Sequence, residues 1–129
     1  MFEHEILLGL AAFAVKHFFC DFILQSQHMI REKAHYGRLG GLQHAGIHSA
    51  GTVMVLLALD FDPVISVGLA LVDGVVHYHV DWTKSKAVSH FKFTPADSGF
   101  WVWLGLDQLA HYLTYIAIFA IAIQMTAGA

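Results

Sequence analysis

Four apolar stretches dominate the chain and leave few folds open to it. They lie at about residues 6–24, 41–59, 64–82 and 100–124. Each has about the 20 residues that a helix needs to cross the hydrocarbon core of a bilayer. No Asp, Glu, Lys or Arg occurs between Ala45 and Leu59 or from Gln108 to Ala129, whereas a helix on the outside of a soluble bundle needs a charged face. We therefore expect an all-α fold, with residues 1–129 forming one membrane domain of four transmembrane helices. A soluble four-helix bundle is the alternative.

The composition excludes several classes of protein. Of the 129 residues, 57% are hydrophobic and 13% are charged, against roughly 25% charged in ordinary soluble domains, so intrinsic disorder is excluded. Seven Lys and Arg against ten Asp and Glu argue against a nucleic-acid partner. The single cysteine, Cys20, excludes an internal disulfide framework. Ten histidines in so short a chain are the unusual feature.

The basic residues predict the orientation of the helices. Lys and Arg are concentrated in the two longer loops, after the first and third stretches: Arg31, Lys33, Arg38, Lys84, Lys86 and Lys92. Cytoplasmic loops carry an excess of Lys and Arg, so we expect both loops on the cytoplasmic side and both chain termini on the other. Met1–Glu5 is acidic rather than basic, which argues against a cleaved signal peptide.

Each apolar stretch also carries His and Asp residues spaced four apart. The pairs and triplet are His17 and Asp21, His44 and His48, Asp73, His77 and Asp81, and Asp107 and His111. Residues four apart lie on one face of a helix. With the predicted orientation, most of these groups fall at one level in the cytoplasmic half of the bundle. We therefore expect the bundle to have a polar His/Asp interior.

This polar layer predicts a site for a divalent metal ion. An Asp at the bilayer centre costs roughly 2.5–3.5 kcal/mol, so it turns inward and finds a partner. Imidazole nitrogens and carboxylate oxygens are ligands for Zn²⁺, our first choice, and for Mn²⁺ or Fe²⁺. The predicted ligands are His17, Asp21, His44, His77, Asp81, Asp107 and His111. His48 and Asp73 are candidates of second rank.

The same layer predicts hydrolysis as the leading function. A bound metal ion lowers the pKa of a water molecule and polarises a substrate oxygen, and Asp81 or Asp107 would act as the catalytic base. Lys33 and Lys84, with Gln25 and Gln108, are the predicted substrate-binding residues. Lysines at the mouth of a membrane site suit a phosphate-bearing lipid or another amphiphilic phosphate.

Two other functions remain open from the residues alone. Chains of intramembrane Asp and His form ion and proton paths, so a transporter or channel subunit is the first alternative, and four spans would then require a homo-oligomer. A structural scaffold with a hydrogen-bonded polar core is the second, although such bonds average only about 0.6 kcal/mol in membranes. Lys16, near the middle of the first stretch, is expected to pair with a carboxylate of the bundle.

The polar motifs resemble those of a family of small bacterial and phage inner-membrane proteins grouped as a domain of unknown function. The family pattern HxxxDFxxQ…H…HxxxDxxK…DQxxH corresponds here to His17 to Gln25, followed by His44, His77 to Lys84 and Asp107 to His111. The resemblance covers nearly the whole chain and implies an inner-membrane location. It strengthens the prediction of a site without naming a reaction.

A more distant similarity is to membrane-bound metal-dependent hydrolases, which carry a His–His–Ser cluster on a helix. The corresponding residues are His44, His48 and Ser49. Their spacing differs from that family's, and the arginine expected after the first His is absent.

Overall fold

The computed structural model describes residues 3–127, and this part of the chain is all-α, as expected. It is 84% helical and contains no strand. The elements in chain order are α1 (Glu3–Phe18), continued by a π-helical turn (Phe19–Ile23), α2 (Gln27–Glu32), α3 (Leu39–Ala58), α4 (Pro63–His90) and α5 (Ser98–Ala127).

The described residues form five α-helices, whereas we expected four. The additional helix is α2, which begins where the Ser26 side chain accepts the Met29 N–H at 3.3 Å, a typical N-cap. With six residues it is too short to show a hydrophobic period. The third predicted helix also continues past residue 82 to His90. Hydropathy falls there, but neither Gly nor Pro interrupts residues 83–90, so the helical hydrogen bonding continues.

Three helical segments are long and apolar enough to cross a membrane: Glu3–Ile23, Pro63–His90 and Ser98–Ala127. The prediction of four such helices is therefore only partly confirmed. α3 is 20 residues long but is not among the three, because polar residues such as Gln43, His44 and His48 lower its mean hydropathy. It packs against α1, α2 and α4.

The helices place polar residues inside and apolar residues outside. Within residues 3–127, the buried side chains comprise twelve polar or charged and eleven apolar ones. In contrast, Val64, Met54 and Leu7 are 81%, 71% and 68% exposed. Charged residues in soluble proteins are almost never fully buried unless paired. The arrangement is consistent with a membrane protein and argues against the soluble bundle.

The interior is divided along the bundle axis. At one end, the apolar cluster consists of Phe13, Leu56, Phe61, Leu69, Tyr115, Ile118, Phe119 and Ala122. Gly9 lies against the Phe119 ring with no room for a Cβ atom, which brings α1 and α5 close together. The His and Asp side chains fill the other end, towards α2 and the loop between α4 and α5. We call this the basic end, since Lys33, Lys84 and Lys92 lie there.

Candidate metal centre

Six of the seven predicted metal ligands are buried, and the seventh, Asp21, is half-buried. They are contributed by α1, the π-helical turn, α3, α4 and α5. The structure therefore brings the predicted residues into one cluster. Because the four-residue spacing places them on one face of each helix, they meet when these faces pack against one another. Two overlapping groups within the cluster could hold a metal ion.

The first group contains Asp21, His44, His48 and His77, with one ligand atom from each lying within 4.8 Å of all the others. Asp21 Oδ1 lies 3.0 Å from both His44 Nε2 and His48 Nε2. His44 Nε2 and His77 Nε2 are 3.2 Å apart. Three imidazoles and one carboxylate thus lie close together, and His48, a second-rank candidate from the sequence, belongs to this group.

The second group contains His77, Asp81 and His111. Asp81 Oδ1 lies 3.6 Å from His111 Nε2, and Asp107 Oδ1 lies 3.4 Å from the same nitrogen. The other oxygen of Asp81 lies 3.2 Å from His44 Nε2. Asp81 therefore connects the two groups, and His77 belongs to both.

Several of these atoms are buried without any hydrogen-bond partner in residues 3–127. They include Asp81 Oδ1 and His111 Nε2 of the second group. They also include Asp107 Oδ1, which faces His111 although Asp107, a predicted ligand, belongs to neither group. A buried polar atom without a partner costs about 1–3 kcal/mol. The distances of 3.4–3.6 Å are long for hydrogen bonds. A tetrahedral Zn²⁺ with bonds of about 2.0–2.1 Å has ligand atoms about 3.3–3.4 Å apart, so the spacing fits ligands of a metal ion.

The π-helical turn positions Asp21. Leu24 N–H donates to Phe19 C=O at 2.9 Å, a bond that spans five residues instead of four. Single π-helical turns frequently occur at functional sites, because the wider turn redirects the side chains that it carries. Here the turn places the Asp21 carboxylate against helix α3. No residue pattern around Asp21 predicts this turn.

His17 lies beside the ligand groups and belongs to neither of them. Its Nε2 lies 3.2 Å from Asp21 Oδ2 and 3.0 Å from Gln108 Oε1. Since both oxygens are acceptors, Nε2 carries the proton, and the Tyr115 hydroxyl then donates to His17 Nδ1 at 2.8 Å. This arrangement orients Asp21 rather than offering a ligand nitrogen. Metal-bound carboxylates are generally held by such neighbours.

Lys16 forms the expected ion pair, and its partner is Asp73. Lys16 Nζ lies 2.9 Å from Asp73 Oδ2, with both side chains less than 5% exposed. Thr52 donates to the same oxygen at 2.5 Å, and Lys16 also reaches the Tyr115 hydroxyl at 3.4 Å. Asp73 is thus in neither ligand group, because it lies a turn beyond His77 and faces α1.

Tyr115 is the residue that the sequence analysis missed. Its side chain is 1% exposed, and its hydroxyl lies within hydrogen-bond distance of His17, Lys16 and His48. It follows His111 by four residues and so continues the stripe that starts at Asp107. An aromatic residue at that spacing is ordinarily part of an apolar core, so the spacing alone did not indicate that its hydroxyl would form hydrogen bonds with the cluster.

Three of the four predicted substrate-binding residues contact the cluster. Lys33 Nζ lies 3.1 Å from Asp81 Oδ2 and 2.7 Å from Gln25 Oε1. Gln25 in turn donates to the Asp21 carbonyl at 2.7 Å, and Gln108 donates to Asp107 Oδ2 at 3.2 Å. Lys84 makes none of these contacts and lines two cavities instead.

The helical fold and the His/Asp cluster together indicate the class of protein. It is a helical protein with apolar helices long enough to cross a membrane and with a buried His/Asp cluster that could hold a metal ion. Residues 10–129 match the family model described as "Protein of unknown function (DUF3307)", and the chain belongs to that family. The expected membership of a family of unknown function is thereby confirmed. Neither the curated proteins nor the solved structures contain a match to this chain.

Proposed function

We propose that the protein is a multi-pass inner-membrane protein with a divalent-metal centre near the cytoplasmic face. In this arrangement α3 is the fourth span, the basic end faces the cytoplasm and both termini face the other side. The distribution of Lys and Arg supports the orientation. The placement of α3 among α1, α2 and α4 supports its passage through the bilayer, because its polar face is covered by protein.

The unpartnered atoms of the second ligand group are the observation that carries the metal centre. Asp81 Oδ1 and His111 Nε2 lie 3.6 Å apart, and neither atom makes a hydrogen bond within residues 3–127. A divalent cation held by these two atoms and His77 would satisfy both. Nitrogen and oxygen ligands at tetrahedral spacing favour Zn²⁺, with Mn²⁺ or Fe²⁺ as the alternatives.

We propose hydrolysis of a phosphate ester as the reaction at this centre. A metal ion held there would supply a water molecule of lowered pKa and would polarise a phosphoryl oxygen. Asp107, which lies beside the second group, would take the proton of the attacking water, and Asp81 would hold the substrate side of the centre together with Lys33. The new bond would join the water oxygen to phosphorus, and the bond between phosphorus and the ester oxygen would break. The ester oxygen would leave with the proton that Asp107 had taken from the water.

A closed far side favours an enzyme over a conduit. Beyond Thr52 and Asp73 the described interior consists mainly of the apolar cluster, with Ser66 as a further buried polar side chain. The Lys16–Asp73 ion pair is buried between the cluster and the ligand groups. An ion path requires polar groups across the whole membrane. A transporter or channel subunit, which would need a homo-oligomer, and a structural scaffold are therefore the weaker proposals.

Phosphate release tests the proposed reaction. The protein, purified in detergent and supplied with Zn²⁺, should release inorganic phosphate from phosphatidic acid micelles. Asp107→Asn should lower the rate at least about 100-fold, since a general base contributes about 10²–10⁴-fold. The matched control is Asp97→Asn in the exposed loop before α5, which should keep the wild-type rate. Wild-type protein that moves Zn²⁺ into vesicles but releases no phosphate would contradict the hydrolase.

A further inference from the structure

A basic cavity of about 330 Å³ opens at the basic end between α2, α4 and the start of α5. Lys33, Lys84 and Lys92 line it together with Ser85 and Ser89, and its lining includes no Asp or Glu. The other lining residues are apolar, and Lys33 already donates to Asp81 and Gln25. Lysines and serines around one space can supply hydrogen-bond donors for a multiply charged anion. We call this space the head cavity.

The head cavity adjoins the candidate metal centre. Lys33 lines the cavity, and the same ammonium group lies 3.1 Å from Asp81 Oδ2. The side chain is only 9% exposed, so it forms the inner wall between the cavity and the ligand groups. Only the Lys33 side chain would therefore separate an anion in the cavity from Asp81 of the second ligand group.

A second, apolar cavity of about 280 Å³ runs between α4 and α5. Val80, Trp103, Leu106 and Ala110 line it, and Asp107 is part of its wall. Lys84 lines both this groove and the head cavity. The two spaces therefore share one lining lysine, with further lysines in one lining and mainly apolar residues in the other.

The backbone at Lys92 points to a role for its side chain. After α4 ends, Lys92 has φ +55°, and Phe93 N–H donates to Val88 C=O at 3.0 Å while Lys92 N–H donates to Ser89 C=O at 3.2 Å. These two bonds form a Schellman motif, in which Gly is the usual residue at the left-handed position. A lysine there is less favourable for the backbone, and it extends into the head cavity.

From these observations we infer that the protein binds an anionic amphiphile, with its phosphate head group in the head cavity and its apolar chain in the α4–α5 groove. This inference rests on the proposed function, since it names the substrate class of the same site. Charge complementarity identifies the head group, and the apolar groove that opens beside the lysines identifies the chain.

Fluorescence of Trp103 in the groove tests the inference. A Trp82→Phe/Trp101→Phe background leaves Trp103 as the only tryptophan. With metal removed by EDTA, phosphatidic acid with brominated acyl chains should quench this fluorescence at a concentration at least about 10-fold lower than phosphatidylcholine with the same chains, because only the former presents a phosphate monoester. Equal quenching by the two lipids would overturn the inference.

Variants of the lysines separate the cavity from general attraction to lipid. Lys84→Ala should weaken phosphatidic acid binding at least about 10-fold. Lys92→Gly should weaken it similarly while leaving the resistance to unfolding unchanged or increased, since glycine suits the backbone. Lys86→Ala, the control on the same helix but outside the cavity, should bind like wild type. Equal losses in all three variants would indicate non-specific charge attraction and overturn the inference.

Two further results keep this test separate from that of the proposed function. Inorganic phosphate alone should bind far more weakly than phosphatidic acid. Equal affinities would show that the acyl chain of the lipid contributes nothing to binding and would overturn the inference that the ligand is an amphiphile. Because the binding assay is done in EDTA, it does not depend on the metal centre. Selective lipid binding by a protein that binds no metal would support this inference and reject the hydrolase.

Discussion

Replacing Lys16 with methionine is expected to destabilise the protein by about 3–5 kcal/mol. Methionine matches the length of the lysine stem, so packing is largely kept. The loss arises because Asp73, 1% exposed, then holds a buried negative charge whose remaining neighbour is the Thr52 hydroxyl. The free energy of unfolding, measured by SDS titration in mixed micelles, checks this value.

The double variant Lys16→Met/Asp73→Asn separates charge from packing. Removing both charges should recover most of the lost stability, because a buried ion pair is often replaceable when both partners go together. Lys86→Met, at a more exposed position of α4, should change the stability by less than about 0.5 kcal/mol. A Lys16→Met protein as stable as wild type would show that the ion pair does not hold α1 to α4.

The sequence was sufficient to predict which helix faces carry the site. Spacings of four residues put His17 with Asp21, His44 with His48 and Asp107 with His111, and helix packing then left these groups no surface except one another. The prediction that Lys16 pairs with a carboxylate followed from the same cost of burial and is confirmed. Residue spacing and the cost of burying a charge are properties of each helix by itself, so a single sequence is enough to predict their effects.

Which of these residues form a ligand set could not be read from the same spacings. Asp73 and Asp81 lie on one face of α4, but eight residues separate them, or about 12 Å along a helix. The position of α1 decides that Asp73 meets Lys16. The positions of α3 and of the end of α2 decide that Asp81 meets His44 and Lys33. The rotation of one helix against another depends on all their contacts.

Short elements were also beyond the sequence pattern. The six residues of α2 are fewer than two turns, so no hydrophobic period reveals them. This helix nevertheless brings Lys33 back to Asp81. The π-helical turn that carries Asp21 depends on one shifted hydrogen bond, which has no signature in residue types. Both elements determine details of the site that composition and hydropathy do not address.

Replacing His77 should remove metal binding more completely than any other single change. His77 is the one residue shared by both ligand groups, whereas His48 belongs to the first and His111 to the second. We expect His77→Ala to lower the affinity for Zn²⁺ by more than about 100-fold, since even residues that only support metal ligands cost about 10–100-fold. Competition with a chromophoric zinc chelator measures this affinity.

Two partial variants and one control complete the series. Each of His48→Ala and His111→Ala removes a ligand from one group only, so whichever weakens binding identifies the group that holds the ion. His79→Ala is the matched control, because His79 lies two residues from His77 but its ring contacts Tyr36 and the Val75 carbonyl outside the cluster. Equal Zn²⁺ affinity in the His77→Ala and His79→Ala proteins would argue against both ligand groups.

The metal content of the purified wild-type protein is the most direct test of the central claim that the buried His and Asp side chains hold a divalent ion. The protein would be equilibrated with Zn²⁺, Mn²⁺ or Fe²⁺, freed of excess ion by gel filtration and analysed by mass spectrometry of the elements. The ligand groups predict about one or two tightly held ions per chain, with Zn²⁺ retained best. A wild-type protein that retains none of the three metals would contradict the metal centre and the hydrolysis proposed from it.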